Sequence, residues 1–165
     1  MSFRCTGIVS VDDLKKLGLY PPPERLKKGP VVLVECPEEI PCDICVDACP
    51  FGVIIKESIT SIPKVLWDKC TGCGTCVAKC PGLAIFVVDI SHPAKASVVV
   101  PYEFLPRPRV GDKVVLLGRD GRRLGYGVVR DIFEDNKTLA VKIDVAREVA
   151  LEVRGFEVVR HEEEG

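Results

Sequence analysis

Apolar and polar positions along this chain fall into short segments of two kinds. "VVLVEC" (31–36) is too short and too β-branched for a helix and predicts a strand. "CDICVDAC" (42–49) predicts one or two helical turns, and "FGVIIK" (51–56) a second strand. The series then returns: "KVLWDKC" (64–70) is strand-like, "GTCVAKC" (74–80) helical, and "LAIFVVDI" (83–90) a strand. From about residue 101 the pattern changes to Val-rich strands separated by turns. Asp120-Gly121 is a strong hairpin signal, Asp135-Asn136 marks a second turn, and "ALEVRGFEVV" predicts a last strand. Ahead of all this, "SVDDLKKLGL" predicts a short helix with Ser10 as N-cap and Asp13 three positions on. "PPPERLKKGP" breaks regular structure, with Pro21 to Pro23 extended.

The two strand–turn–strand units are copies of one another. Cys36 aligns with Cys70, Cys42 with Cys73, Cys45 with Cys76, Cys49 with Cys80, and Pro50 with Pro81. The first copy carries three extra residues within "PEEIP", between its first two cysteines. The expected organisation is an N-terminal extension (1–30), a cysteine-bearing repeat domain (31–100), a small antiparallel, barrel-like β-domain (101–160) and a solvated tail (161–165). The fold class is therefore α+β. The extension is of the kind that wraps its own domain or a partner.

Composition narrows the chemistry. The chain has 165 residues, 47% of them hydrophobic, enough for a packed core. Formal net charge is -1, which offers no basic footprint for nucleic acid. No apolar run approaches the roughly 20 residues of a membrane helix. The start, "MSFRCTGIVSVDD", lacks an apolar leader core. The expectation is a soluble cytoplasmic protein without a membrane span. Cytosolic thiols are kept reduced, so nine clustered cysteines are not expected to be disulfides. One Asn, no Gln and one Met beside 28% charged residues suggest a hyperthermophilic source.

The cysteines carry the chemistry. "CTGCGTCVAKCP" places three thiols two residues apart, a fourth after three more, and then a proline. A four-iron cubane needs one thiolate per iron, converging on one compact body. A tight loop delivers adjacent corners, and small residues such as Gly72 and Gly74 let its amides approach. Zinc also takes four thiolates, but its usual pattern is two separated pairs closing one tetrahedral site. Two crowded quartets that each end in Cys-Pro fit iron–sulfur chemistry better.

At these motifs the chain resembles the two-cluster bacterial-type ferredoxins. The resemblance implies a ferredoxin-like core with pseudo-twofold internal repeat and two [4Fe-4S] clusters. One would be held by Cys36, Cys42, Cys45 and Cys80, the other by Cys70, Cys73, Cys76 and Cys49. The long Cys36 to Cys42 spacing departs from the family and leaves a [3Fe-4S] cluster open at the first site, were Cys36 not a ligand. More narrowly, "PPPERLKKGPVVLVECPEEIPCDICVDACPFGVI", "WDKCTGCGTCVAKCPGLAIFVVD" and "PYEFLP" resemble the ferredoxin-like subunit of flavin-dependent amino-acid dehydrogenases, of the dye-linked L-proline type in hyperthermophilic archaea. That implies a FAD-containing partner subunit, and other small iron–sulfur subunits as further candidates.

Catalytic groups are scarce. His92 and His161 do not cluster with acids or cysteines, and no phosphate-binding glycine loop follows a strand. No substrate chemistry is expected, because saturated cubanes leave no open metal position. Cys5 lies outside both quartets and is expected to be an ordinary thiol. Glu35, Glu38, Glu39, Asp43 and Asp47 surround the first quartet, Lys69 and Lys79 flank the second, and Arg119, Arg122 and Arg123 form a small basic patch expected in a solvated turn. About 30 residues before the core and 60 after it read as docking surface. They favour an electron-transfer subunit over a free-standing ferredoxin, which needs little beyond its clusters.

Overall fold

The computed structural model describes residues 2–159. The expected tail and His161 lie outside the described residues. The N-terminal segment carries three short helices, α1 (Phe3–Thr6), α2 (Val11–Lys16) and α3 (Pro23–Leu26). The cap of α2 is as expected: Ser10 accepts from the Asp13 amide, and the Asp13 carboxylate accepts from the Ser10 amide. The proline run differs in part. Pro22 is extended, but Pro23 starts a helical turn, since proline's fixed φ and missing N–H suit the first helical position. This segment lies on its own chain, burying Leu14, Leu19 and Leu26.

Next come β1 (Val31–Val34), α4 (Ile44–Ala48), β2 (Ile54–Ile55), β3 (Lys64–Val65), α5 (Thr75–Lys79) and β4 (Ile85–Asp89). The expected strand over 64–70 is only two residues long; Trp67–Lys69 then turns into a single 3-10 turn that delivers Cys70. The strands nest: β1 pairs antiparallel with β4, and β2 with β3. The first strand of one copy therefore meets the last strand of the other, and α4 and α5 lie against each other.

Five strands follow: β5 (Ala96–Tyr102), β6 (Lys113–Gly118), β7 (Arg123–Asp135), β8 (Thr138–Val145) and β9 (Val153–Val158). Both expected turns form. Gly118 N donates to the Arg122 carbonyl at 2.9 Å around Gly121, whose φ is +78°. Asn136 and Lys137, at φ +48° and +70°, join β7 to β8. All ladders are antiparallel, and one seven-stranded sheet runs β1-β4-β5-β8-β7-β6-β9. The expected boundary at 100/101 falls inside β5, which pairs with β4 on one side and β8 on the other. The near-continuous apolar run of "ASVVVPY" is buried against both neighbours, so the sheet passes through the boundary unbroken.

The sheet curls back on itself. The rings of Tyr102 on β5 and Phe156 on β9 stack with centroids 4.5 Å apart. They close a core that includes Val98, Val100, Val114, Leu116, Val141 and Ile143. A second core, with Val32, Val34, Ile54, Val77 and Val87, packs directly against the cysteine loops.

Candidate iron–sulfur centres

The eight motif cysteines divide between two cavities. Cys36, Cys42, Cys45 and Cys80 line the first, a space of about 390 Å³. Cys49, Cys70, Cys73 and Cys76 line the second, of about 20 Å³. The division crosses the sequence motifs. Cys49 belongs to the first run but lies at the end of α4, beside α5. Cys80 belongs to the second run but follows α5 into the first cavity. The nested strand pairing causes this exchange, because each helix points its last cysteine toward the other copy.

The two cavities differ in width for a reason visible in the chain. Pro37, Glu38 and Ile40, from the longer first loop, form part of the first wall, and Phe3, Gly7 and Val9 of the N-terminal segment form another. The second loop is three residues tighter. Its Gly72 has φ +72°, and a Cβ there would lie 2.4 Å from Pro30 Cβ and 2.8 Å from the Pro30 carbonyl oxygen. Only glycine allows this approach. Val32 N and Gly72 N both point at Cys70 Sγ, at 3.4 Å.

Arg25, which the sequence reading passed over, holds the second loop in place. It is 7% exposed and lies on the N-terminal segment. Its guanidinium donates to the carbonyl oxygens of Trp67 (2.9 Å), Gly29 (3.3 Å), Pro30 (2.9 Å) and Cys70 (2.8 Å). In the sequence it is one of four charged residues in the Pro-bounded segment 21–30, with nothing to single it out.

Glu35 and Arg119 also depart from expectation. Glu35 is one of five acids around the first quartet and Arg119 is expected in a solvated turn, yet each side chain is only 8% exposed. Arg119 grips Glu35 through Nη2 (2.6 Å) and Nε (3.1 Å), and Arg154 Nε donates to the same carboxylate at 2.7 Å. Curling of the sheet brings β9 over the start of the first cysteine loop and buries all three. Glu38, Glu39, Asp43 and Asp47 are exposed, as are Arg122 and Arg123. Lys79 pairs with Asp135 at 2.6 Å, and Lys69 is exposed. Cys5 is an exposed free thiol, and His92 Nδ1 accepts from the Ala94 amide at 3.0 Å.

The electrostatics suit a cationic guest. Burial, and then the neighbouring Cys49, Cys70 and Cys73, push the Cys76 thiol up to about 12. Burial and then Cys80 raise Cys36 and Cys45, while the Lys56 charge works in the opposite direction. Burial alone would raise Cys73, but hydrogen bonds from Thr75 and Thr71 outweigh it and hold that thiol below its ordinary value. Four thiolates cannot share such a space uncompensated, and iron supplies the missing positive charge. Among the described residues, no three Cys, His, Asp or Glu side chains lie close enough to hold a single metal ion. A cubane makes no such demand, since its thiolates sit on four separate irons. The donor set, the amides aimed at sulfur and the width of the first cavity all fit iron–sulfur clusters.

Residues 35–85 match the family model of the 4Fe-4S dicluster domain, and this segment is a ferredoxin-type iron–sulfur domain. The chain is similar to the polyferredoxin-like subunit of the aliphatic sulfonate oxidoreductase of Pyrococcus furiosus: 31% identical over 125 residues, 73% of this chain and 66% of that protein. It is 44% identical over 46 residues to pyruvate synthase subunit PorD of Methanothermobacter marburgensis, 28% of this chain and 51% of that one. Over 50 residues it is 36% identical to protein NrfC of Escherichia coli, 30% of this chain and 22% of NrfC. The chain thus spans about a fifth of the length of NrfC and two thirds of the polyferredoxin-like subunit. No solved structure matches the chain. Among the described residues, no helix is long and apolar enough to cross a membrane.

Proposed function

We propose that this chain is the electron-transfer subunit of an oxidoreductase complex. It carries two [4Fe-4S] clusters and relays single electrons between a flavin-containing dehydrogenase subunit and an external acceptor. The observation that carries the reading is the sorting of eight cysteines into two quartets around two adjoining cavities. Cys36, Cys42, Cys45 and Cys80 bind the first cluster; Cys70, Cys73, Cys76 and Cys49 bind the second.

Each cluster, when bound, takes up and gives back one electron. The protein's part is to bind, orient and keep dry. Val32, Val53, Ile54 and Val87 wall the second site with apolar surface. Arg25 fixes the carbonyls around Cys70, so the loop is preorganised before iron arrives. No residue at either cavity needs to move a proton or attack a bond.

Two observations support a subunit over a free carrier. The N-terminal segment grips the cysteine loops through Arg25, and the curled β-sheet grips them through Arg119 and Arg154 on Glu35, while large apolar side chains stay outside. Phe104 is 67% exposed and Leu105 84%. A similar protein is also, by its name, a subunit of an oxidoreductase. The flavin partner rests on the resemblance of the Pro-rich lead-in and the long first spacing.

The test is anaerobic affinity purification of this chain from its native host, with iron, sulfide and flavin assayed on whatever co-elutes. The expected result is about eight irons per chain, from two four-iron clusters, with a stoichiometric flavoprotein. The chain eluting alone with that iron would make it a free-standing ferredoxin. Iron near seven would place a [3Fe-4S] cluster in the first cavity.

A further inference from the structure

We propose that Lys56 raises the reduction potential of the cluster in the first cavity, and of that cluster alone, through its ammonium charge. This rests on the iron–sulfur reading above and goes beyond it to the difference between the two sites.

Lys56 lines the first cavity together with Cys36, Cys42, Cys45 and Cys80. It stands on the chain just past β2 and is half-buried. Its Nζ donates to the carbonyl oxygen of Cys42, and to that of Ile59 at 2.8 Å. Both acceptors are uncharged, so these bonds position the ammonium without neutralising it. The adjacent carboxylate, Glu57, is engaged by Lys64 instead.

The other charges on this cavity do not cancel it. Glu35 is held by Arg119 and Arg154. Glu38 is exposed to water, which screens it.

The internal repeat supplies a built-in comparison. Cys49 and Cys80 are equivalent and differ by 31 positions, so the counterpart of Lys56 is residue 87. That residue is Val87, which lines the second cavity and is 3% exposed. No charged side chain lines the second cavity. Arg25 grips the Cys70 carbonyl from outside that lining. One copy of the motif has placed a cation where the other has an isopropyl group.

Reduction adds one electron, and therefore one negative charge, to a cluster. A fixed cation in a partly dry cavity stabilises the reduced form more than the oxidised form. Removing the cation lowers the potential. For one fixed charge lining the cavity, at the effective dielectric of a protein site, the reduction equilibrium shifts by about tenfold, or about 59 mV for one electron.

The experiment is an anaerobic potentiometric titration of the full chain followed by electron paramagnetic resonance. It compares the wild type, Lys56→Met and Lys56→Arg. One of the two midpoint potentials is expected to fall in K56M by about tenfold in equilibrium, with the other unchanged, and K56R to restore it. If K56M loses four irons through slackening of the 42–59 loop, N-acetyl-lysine installed at position 56 carries the test. It keeps one N–H donor at about the same reach while removing the charge. Neither potential moving, or both moving alike, overturns the proposal. A wild-type chain that binds no iron at all overturns the iron–sulfur reading instead, before any potential is read.

Discussion

Arg154 Nε lies 2.7 Å from the Glu35 carboxylate, across 119 positions of the chain. Glu35 immediately precedes Cys36, so this contact ties the last strand of the sheet to the first cysteine lining the first cavity. With Arg119 it makes a three-residue ionic cluster in which every side chain is at most 8% exposed. Burial alone would raise the Glu35 carboxyl, but Arg154 and then Arg119 outweigh it and hold it below its ordinary value.

Replacing Glu35 with Gln leaves two guanidinium groups buried beside each other, with only the half-exposed Glu152 carboxylate, 3.1 Å from Arg119, as counter-charge. The expected loss is about 3–5 kcal/mol, the cost of removing one partner from a buried ion pair. Thermal or denaturant unfolding of the cluster-loaded chain at pH 7 measures it. The pH dependence has a defined sign. A folded-state value below the unfolded value means that the stabilisation is fully present above the ordinary carboxyl value of 4.5 and fades as pH falls through the lower folded value. The gap between wild type and E35Q is therefore expected to close on acidification below about pH 4.5. A gap that stays constant would show that the carboxylate charge is not what holds β9 in place.

Cys49→Ala tests the crosswise sorting of the thiols. Although Cys49 belongs to the first motif, its loss is expected to damage the second cluster, as Cys70→Ala does. Cys80→Ala is expected to behave like Cys42→Ala. Iron counts and electron paramagnetic resonance of the remaining cluster separate the pairs. Pairing of C49A with C42A would mean that each motif serves its own cluster.

Arg25→Lys keeps the positive charge but cannot span four carbonyl oxygens with one ammonium. It is expected to cost about 2–3 kcal/mol, on the scale of charge-assisted hydrogen bonds lost from buried acceptors. The second cluster is expected to be lost first on heating. Following absorbance and iron release together would reveal which site fails.

Gly72→Ala brings together two penalties, a left-handed backbone and a Cβ in contact with Pro30. At least about 2 kcal/mol of destabilisation is expected, from strain plus overpacking. Gly121→Ala, with φ +78° but nothing within 4 Å of the added Cβ, is the control and pays only the strain. Equal melting points for the two variants would remove the Pro30 contact from the account.

Short-range patterns in the chain foretold most local structure. The Ser10–Asp13 cap, the Asp120-Gly121 hairpin, the Asn136 turn and the two Cys-rich helical turns each depend on neighbours within about four residues. The two cysteine runs were legible for the same reason, since thiol spacing within a loop limits what that loop can bind, whereas their crosswise sorting was implied only by the resemblance. Other features were decided by tertiary structure. In the sequence Glu35 is one of five acids around the first quartet and Arg119 a turn residue; the folding of β9 over the first cysteine loop buries both. Arg25 had no motif at all, because its partners are backbone carbonyls that any sequence supplies. Strand β5 runs across residue 100, because strand pairing depends on two edges whose partners lie far away in sequence. By itself the sequence determined the cysteine pattern and the elements that carry it. Only the folded chain decided which charges were buried against those elements, because burial belongs to pairs of segments far apart in sequence and leaves no periodicity in either one.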